Sequence, residues 1–162
     1  MEIKIPYTPR KHQKLLHQQI DKHRWSVLVC HRRFGKTVCM INHLIKSALT
    51  CKEKNPRFAY LAPTFKQAKS IAWDYMKQFT DKIPNTKFNE TELRVDLPNG
   101  ARITLLGSDS PDGLRGIYLD GCVIDEYANV NSRLFPEIIR PALSDRKGYC
   151  VFIGTPAGMN NN

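Results

Sequence analysis

The sequence predicts an α/β domain with a mostly parallel central sheet, flanked by helices and interrupted by one antiparallel hairpin near residues 92–106. Short runs of apolar, often β-branched residues alternate along the chain with segments whose apolar residues recur at helical spacing. Two of these runs, residues 121–125 and 149–153, are continuously apolar, which is typical of strands covered on both faces. Before them, two alternating segments flank Asn99-Gly100, a pair that favours a hairpin turn.

The first predicted unit is a strand, a loop and a helix. The run WSVLVC, residues 25–30, is short, apolar and rich in β-branched residues. A polar loop that contains glycine follows, and a helix should begin close to Lys36. One face of this helix is predicted to be buried, because its apolar residues recur at helical spacing: Val38, Ile41, Leu44, Ile45, Ala48 and Leu49.

A second unit of the same kind follows. Residues 58–62 form its predicted strand, and Thr64 with Gln67 fits a capping box at the start of the next helix. An apolar stripe predicts that helix: Ala68, Ile71, Ala72, Tyr75, Met76 and Phe79.

The hairpin and an irregular helix complete the predicted domain. Residues 93–97 and 101–105 alternate between apolar and polar side chains, and Asn99-Gly100 between them predicts a type I′ turn. Between the last two strands we expect a helix interrupted by Pro136 and Pro141.

Composition limits the class of protein. The chain has 162 residues, the size of one domain, and 41% hydrophobic and 25% charged residues are fractions typical of a globular protein. No apolar run reaches the roughly 18 residues that a membrane-spanning helix needs, and residues 1–12 lack the apolar core of a signal peptide. The five cysteines are odd in number and include no C-x-x-C pair, so we expect reduced core thiols in a cytosolic protein with no membrane partner.

The charge balance is strongly basic. Lys and Arg number 25 against 15 Asp and Glu, for a formal net charge of +10. The electrostatic field of such a positive charge attracts partners that carry phosphate groups. A merely solubilising surface would have the same composition, so charge alone leaves both interpretations open.

The stretch CHRRFGKT, residues 30–37, matches the phosphate-binding pattern G-x-x-x-x-G-K-[ST] except at the first position, where Cys30 replaces glycine. It lies between a predicted strand and a predicted helix, as the motif requires. In such a loop Lys36 reaches the β- and γ-phosphates, Thr37 holds Mg²⁺, and Gly35 lets the backbone approach phosphate. The alternative is a chance G-K-T in a basic loop.

Two acidic residues, Asp125 and Glu126, end the strand at 121–125 and should lie at the carboxyl edge of the sheet beside the phosphate loop. There Asp125 can hold Mg²⁺ and Glu126 can polarise an attacking water. Gly154-Thr155-Pro156 follows the next strand and would bring a hydroxyl to the same edge. Alone, an acid pair is common at the start of a solvated loop, and turn chemistry explains Gly-Thr-Pro. Together the three segments predict an ATPase site in a P-loop NTPase of the ASCE or RecA-like type.

Five short segments carry a resemblance to a known family. They are TPRKHQKLL, CHRRFGKT with an arginine three residues before its glycine, YLAPTFKQAK, LRG ahead of VIDE, and GTPAGMNNN. In this order and spacing, the sequence resembles the ATPase domain of large terminase subunits, the DNA-packaging motors of tailed bacteriophages. A phosphate loop that is poor in glycine and bears an arginine is usual in that family.

The resemblance implies roles for individual residues. Gln13 would contact adenine, although a surface helix position is equally consistent with the sequence. Arg32 would contact the γ-phosphate as a catalytic group, and Arg115 would reach the active site of a neighbouring subunit, although a loop arginine in solvent explains Arg115 as well. Arg33 is open to a solvent-facing or DNA-facing role. The implied set has four parts: nucleotide binding at Gln13, Arg32, Arg33, Phe34, Gly35, Lys36 and Thr37; metal at Thr37 and Asp125; catalysis at Glu126; and coupling of hydrolysis to motion at Gly154, Thr155 and Pro156.

The resemblance also implies a function. Residues 1–162 would form a single ATPase domain, truncated before a lid and nuclease region, that uses ATP and Mg²⁺ to translocate double-stranded DNA. We expect no nuclease activity in this chain. A portal protein, a small terminase subunit and a homo-oligomeric ring would be its partners in the cytoplasm of the infected bacterial host. Two alternatives stay open: a DExx-type helicase or translocase fragment, and a nucleotide- and DNA-binding module that is inactive without its missing domain and neighbouring subunits.

Overall fold

Strands and helices alternate along the part of the chain that the structure describes, which is residues 5–29, 35–109, 114 and 116–154 of a computed structural model. The strands are β1 (Trp25–Val29), β2 (Arg57–Ala62), β3 (Lys87–Asn89), β4 (Arg94–Asp96), β5 (Arg102–Gly107), β6 (Gly121–Asp125) and β7 (Tyr149–Gly154). The α-helices are α1 (Lys11–Lys22), α2 (Lys36–Thr50), α3 (Phe65–Ala68), α4 (Asp74–Thr80) and α5 (Arg140–Ser144).

The strands form one sheet in the order β1-β7-β6-β2-β5-β4-β3. Neighbours from β1 to β5 in this order are parallel, and β4 and β3 are antiparallel additions at one edge. The predicted mostly parallel sheet is therefore confirmed. Its register sets Val29 beside Gly154 and Ile153 beside Asp125, so β1, β7 and β6 end at the same edge.

Helices cover both faces of the sheet. On one face, α2 buries Ile41, Leu44 and Ile45 in a core that also contains Ile20 of α1 and Met76 of α4. On the other face, a separate core surrounds residues from the segment 134–143 and from β6. Because β6 lies inside the sheet and between these layers, each of its residues is buried, as the apolar run predicts.

Strand β1 differs from this pattern because it lies at the edge of the described sheet. Trp25, Val27 and Val29 are 40%, 62% and 52% exposed, whereas the alternate positions of β1 are more buried. An apolar run thus predicts the strand correctly but does not predict its place in the sheet.

The hairpin joins β4 to β5, but its turn is not the predicted type I′. The amide of Gly100 donates to the carbonyl of Leu97 at 3.1 Å, and the amide of Leu97 donates to the carbonyl of Ala101 at 2.9 Å. Gly100 has φ +88°, and Asn99 is not in the left-handed region. Pro98 explains the difference, because its fixed φ suits the second position of a type I turn, which a left-handed glycine then closes. The short strand β3, which sequence reasoning missed, pairs with β4.

The helix predicted after β2 is present, but it contains a π-helical turn, Lys69–Trp73, between α3 and α4. Thr64 caps its start, because the Thr64 hydroxyl accepts a hydrogen bond from the amide of Gln67 at 3.0 Å. The connection from β6 to β7 is irregular, as predicted, with a 3-10 turn at Tyr127–Asn129 and a π-helical turn at Phe135–Ile139 before α5.

Two further predictions concern solvent exposure and membranes. Cys39, Cys122 and Cys150 are buried thiols, as the sequence predicts, whereas Cys51 is only partly buried and Cys30 lies outside the described residues. Within the described ranges, no helix combines the length and the hydropathy needed to cross a bilayer.

Candidate active site

The start of α2 has local features that favour an anion. Its N-cap is Gly35, which supplies no side-chain cap, and its first turn contains no acidic residue. The first backbone N–H groups of a helix lack partners within the helix, so they and the helix dipole favour a phosphate. Gly35 is in the left-handed region at φ +77°, and a Cβ there would lie 2.5 Å from Nη2 of Arg10. Both observations explain why this position is glycine.

Gln13 links α1 to Gly35 at the start of α2. Its side-chain amide donates to the carbonyl of Gly35 at 3.2 Å, and its Oε1 accepts from the amide of Arg10 at 2.9 Å. The residue is only 4% exposed. Gln13 is therefore a buried residue beside Gly35 and not a surface helix residue, while its contact with adenine stays a prediction.

Strand β6 delivers the acid pair to the same edge of the sheet. Asp125, its last residue, is 1% exposed, and its Oδ1 accepts a hydrogen bond from the amide of Glu126 at 2.8 Å. Glu126 is in the left-handed region at φ +49°. For a residue with a Cβ, that conformation costs roughly 1 kcal/mol. Such strain concentrates at functional sites, where the surrounding structure holds it in place.

Lys36 and Asp125 meet across the edge of the sheet. The Nζ of Lys36 lies 3.6 Å from Oδ1 of Asp125, and both side chains are largely buried, with 11% and 2% exposed. The arrangement places a cation and a carboxylate next to the N-terminus of α2. This is the convergence of the phosphate loop with the acid pair that the sequence predicts.

Sequence reasoning missed Tyr60 on β2. Its hydroxyl donates to Oδ2 of Asp125, and the side chain of Thr37 lies close enough to lower the pKa of Tyr60 in part. Burial, followed by the nearby Asp125 charge, raises the pKa of Tyr60 well above its ordinary value, so the hydroxyl is a neutral donor. The available signal was a tyrosine in the otherwise apolar run FAYLA, since a buried hydroxyl requires a partner.

The start of α2 and the acid pair line a cleft of about 310 Å³. Its walls are Gly35, Lys36, Thr37, Val38, Ile71, Tyr75, Asp125 and Glu126. Ile71 and Tyr75 contribute apolar surface to this lining. Tyr75 belongs to the predicted apolar stripe, but it is 40% exposed. Tyr75, although part of the predicted apolar stripe, therefore faces the cleft instead of the core.

Several predicted residues lie outside the described residues: Arg32, Arg33, Phe34, Arg115, Thr155 and Pro156. The remaining member of the Gly-Thr-Pro segment, Gly154, ends β7 and is buried beside Val29, the last residue of β1. The segment therefore begins at the same sheet edge as the cleft.

The oxygen donors of the cleft fit Mg²⁺. The Thr37 hydroxyl and the Asp125 carboxylate are held close to the same Tyr60 hydroxyl, and Glu126 lines the same cleft. Mg²⁺ prefers oxygen ligands and usually binds through one or two protein groups together with substrate phosphates and waters. Thr37 and Asp125 would hold it here.

A comparison with known families decides the relationship. Residues 29–160 match the family described as terminase large subunit, T4likevirus-type, N-terminal. The chain belongs to the large terminase subunit family. This terminase chain is 29% identical over 175 residues to the large terminase subunit of Thermus phage G20c. The alignment covers 96% of the chain but 35% of that relative, so the chain spans about a third of the relative's length.

Solved structures share the fold. The chain matches a mutant of the large terminase ATPase domain of Thermus phage P74-26 with a TM-score of 0.77 at 23% identity, over 94% of this chain and 67% of that one. It also matches a large terminase from a thermophilic bacteriophage in complex with ADP, with a TM-score of 0.74 at 17% identity, over 89% of this chain and 38% of that one. The fold is therefore that of terminase ATPase domains, and the family match favours the terminase family over the helicase alternative.

Proposed function

We propose that this chain is the ATP-hydrolysing motor domain of a viral terminase, which drives double-stranded DNA into a procapsid. The observation that carries the proposal is the meeting of Lys36 and Asp125 at 3.6 Å in a cleft that Thr37 and Glu126 also line. The terminase relative that was solved with ADP supports nucleotide binding in this fold.

The start of α2 binds the phosphates. Its backbone N–H groups and the Lys36 ammonium group neutralise the β- and γ-phosphate oxygens, where phosphoryl transfer concentrates charge. Arg32 adds a second cation at the γ-phosphate, and Arg33, Phe34 and Gly35 complete the loop. Gln13 orients the loop through Gly35 and contacts the adenine.

Glu126 is the catalytic carboxylate. It lines the cleft next to Asp125, where it accepts a hydrogen bond from the attacking water and polarises it. Thr37 and Asp125 would hold a magnesium ion, which would supply positive charge against the β- and γ-phosphates. Gly154, Thr155 and Pro156 follow β7 at the same sheet edge, and we assign them the coupling of hydrolysis to motion.

The basic surface binds the DNA backbone. A net charge of +10 suits a motor that holds phosphate groups without regard to sequence. By family membership, the portal protein, the small terminase subunit and neighbouring copies in a ring would be its partners in the cytoplasm of the infected host. We expect no nuclease activity from this chain, and incubation with supercoiled plasmid and divalent metal tests that expectation.

The deciding experiment measures ATP hydrolysis by the chain, with and without duplex DNA and across protein concentration. Turnover that rises with DNA or with protein concentration is expected for a motor that works in an assembly. Glu126→Gln should abolish ATP hydrolysis while nucleotide binding persists. The matched control is Glu137→Gln, because Glu137 is an exposed acid in the segment before α5. Binding without turnover under every condition would favour the inactive binding module instead.

A further inference from the structure

Three elements meet at the hydroxyl of Tyr60. Tyr60 lies on β2, Thr37 lies in the first turn of α2, and Asp125 ends β6. Tyr60 is 0% exposed, so its hydroxyl has no water to bond with and depends on these two side chains. It therefore joins the residue that follows the loop lysine to the carboxylate at the end of β6.

The hydrogen bonds at this hydroxyl have a fixed direction. A carboxylate accepts, so the single proton of Tyr60 is donated to Oδ2 of Asp125. The Tyr60 oxygen can then only accept, so in a hydrogen bond with the neighbouring Thr37 hydroxyl the donor would be Thr37. That direction would leave the lone pairs of the Thr37 oxygen free, and these are the electrons with which a hydroxyl binds a cation.

The same hydroxyl fixes the Asp125 carboxylate. Oδ2 receives the Tyr60 proton, while Oδ1 receives the amide of Glu126 at 2.8 Å and lies 3.6 Å from Nζ of Lys36. Donors at both oxygens hold the plane of the carboxylate. Hydrogen-bonded partners behind metal ligands orient those ligands, and their loss typically weakens metal affinity by about 10- to 100-fold.

We propose that Tyr60 is a positioning residue for Mg²⁺, which takes the proton of Thr37 and orients Asp125 so that both present oxygen lone pairs to the cation. The proposal rests on the proposed function, because it requires a magnesium nucleotide in this cleft. Tyr60 itself touches neither the metal nor the nucleotide. It acts through Thr37 and Asp125.

The test compares Tyr60→Phe with Tyr149→Phe. Each variant removes one hydroxyl, but Tyr149 begins β7 at the opposite edge of the sheet and donates to Oγ of Ser47 at 2.9 Å. Binding of a fluorescent ATP analogue is measured with excess chelator and then across a magnesium titration. In Tyr60→Phe the magnesium midpoint should rise about tenfold. Its affinity without magnesium should stay close to wild type, because Lys36 and the start of α2 are unchanged. Tyr149→Phe should keep the wild-type midpoint.

A wild-type midpoint in Tyr60→Phe, or an equal shift in both variants, would overturn the proposal. If Tyr60→Phe does not fold, 3-fluorotyrosine placed at position 60 of the otherwise unchanged chain gives a second measurement. Its fluorine resonance should shift when magnesium is added to the nucleotide-bound protein, and an unchanged resonance counts against the role. Absence of magnesium-nucleotide binding in the wild-type chain would instead overturn the proposed function, so the two failures are distinguishable.

Discussion

The imidazole rings of His17 and His43 stack at a centroid distance of 5.1 Å and an angle of 11°, with their Nδ1 atoms 2.8 Å apart. His17 belongs to α1 and His43 to α2, so the pair joins the helix that holds Gln13 to the helix that begins at Lys36. His43 is 1% exposed. Burial, followed by the proximity of His17, lowers the pKa of His43 to about 4, despite the opposing effect of Asp21.

This pair predicts acid sensitivity. An unfolded histidine titrates near its ordinary pKa, so below about pH 6.5 the unfolded chain binds a proton that folded His43 resists. Stability is therefore full above that pH and falls as pH decreases toward the folded pKa of about 4. Between about pH 7 and pH 5 we expect a loss of about 2 kcal/mol from His43. Burial and the Lys46 charge lower the pKa of His17, which adds in the same direction.

Urea unfolding at both pH values measures the effect. His43→Gln should be less stable than wild type near neutral pH, but its free energy of unfolding should depend less on pH. Exposed His23, whose Nδ1 is hydrogen-bonded to the carbonyl of Gln19 at 2.8 Å, supplies the control variant His23→Gln. Equal pH dependence of the unfolding free energy in His43→Gln and wild type would contradict the assignment of the acid sensitivity to His43.

Lys36→Ala should weaken ATP binding. The substitution removes a charge placed for the β- and γ-phosphates, and charge-assisted hydrogen bonds contribute about 1.5 to 3 kcal/mol. We expect a loss of affinity of roughly 10- to 100-fold in calorimetry. Lys46→Ala is the matched control, because Lys46 lies on the same helix but is 60% exposed and pairs with Asp21. Unchanged ATP affinity in Lys36→Ala would show that the nucleotide does not bind in this cleft.

Gly35→Ala should destabilise the protein more than Gly116→Ala. Both glycines are left-handed, at φ +77° and +79°, so each alanine costs about 1 kcal/mol of backbone strain. At Gly35 the new methyl group would also meet the Arg10 guanidinium at 2.5 Å, whereas at Gly116 no atom of the described residues lies within 4 Å. Free energies of unfolding from urea titration compare the two. Equal losses would mean that Arg10 moves aside without cost.

DNA affinity should depend steeply on salt. If the excess of Lys and Arg contacts the DNA backbone, each phosphate contact releases counterions, and the logarithm of the affinity falls linearly with the logarithm of the salt concentration. Fluorescence anisotropy with two duplexes of equal length and unrelated sequence measures both the slope and the sequence preference, which should be small. Binding that is absent or independent of salt would assign the charge to solubility alone.

Arg115 is predicted to act between subunits. It lies outside the described residues, between buried Leu114 and left-handed Gly116. Arg115→Ala should leave ATP binding to the monomer nearly unchanged and remove turnover in the assembled motor. An arginine supplied to the γ-phosphate contributes roughly 10³- to 10⁵-fold in rate where it acts in this way.

Mixing two variants in one ring distinguishes a role of Arg115 in the neighbouring subunit from a role within its own subunit. Rings that combine Arg115→Ala with Glu126→Gln subunits should recover part of the hydrolysis, at interfaces where an intact Glu126 site meets an intact Arg115. Rings of Arg115→Ala that hydrolyse ATP at the wild-type rate would rule the role out and leave Arg32 as the arginine at the γ-phosphate.

The sequence by itself determined the features that depend on neighbours along the chain. Apolar spacing predicts α2 and its buried face, because helical periodicity is local. The loop that ends at Gly35 and the acids that follow β6 are readable for the same reason, since the carboxyl ends of parallel strands share one edge.

Only the tertiary structure decided which residues meet. Tyr60, Thr37 and Asp125 come from three elements that are distant in sequence, and no local pattern records that their side chains converge on one hydroxyl. Tyr75 has the spacing of a core residue but faces the cleft, and β1 has the composition of a central strand but lies at the edge of the described sheet. Strand order and helix packing set these outcomes, because burial depends on what the rest of the chain places against each face.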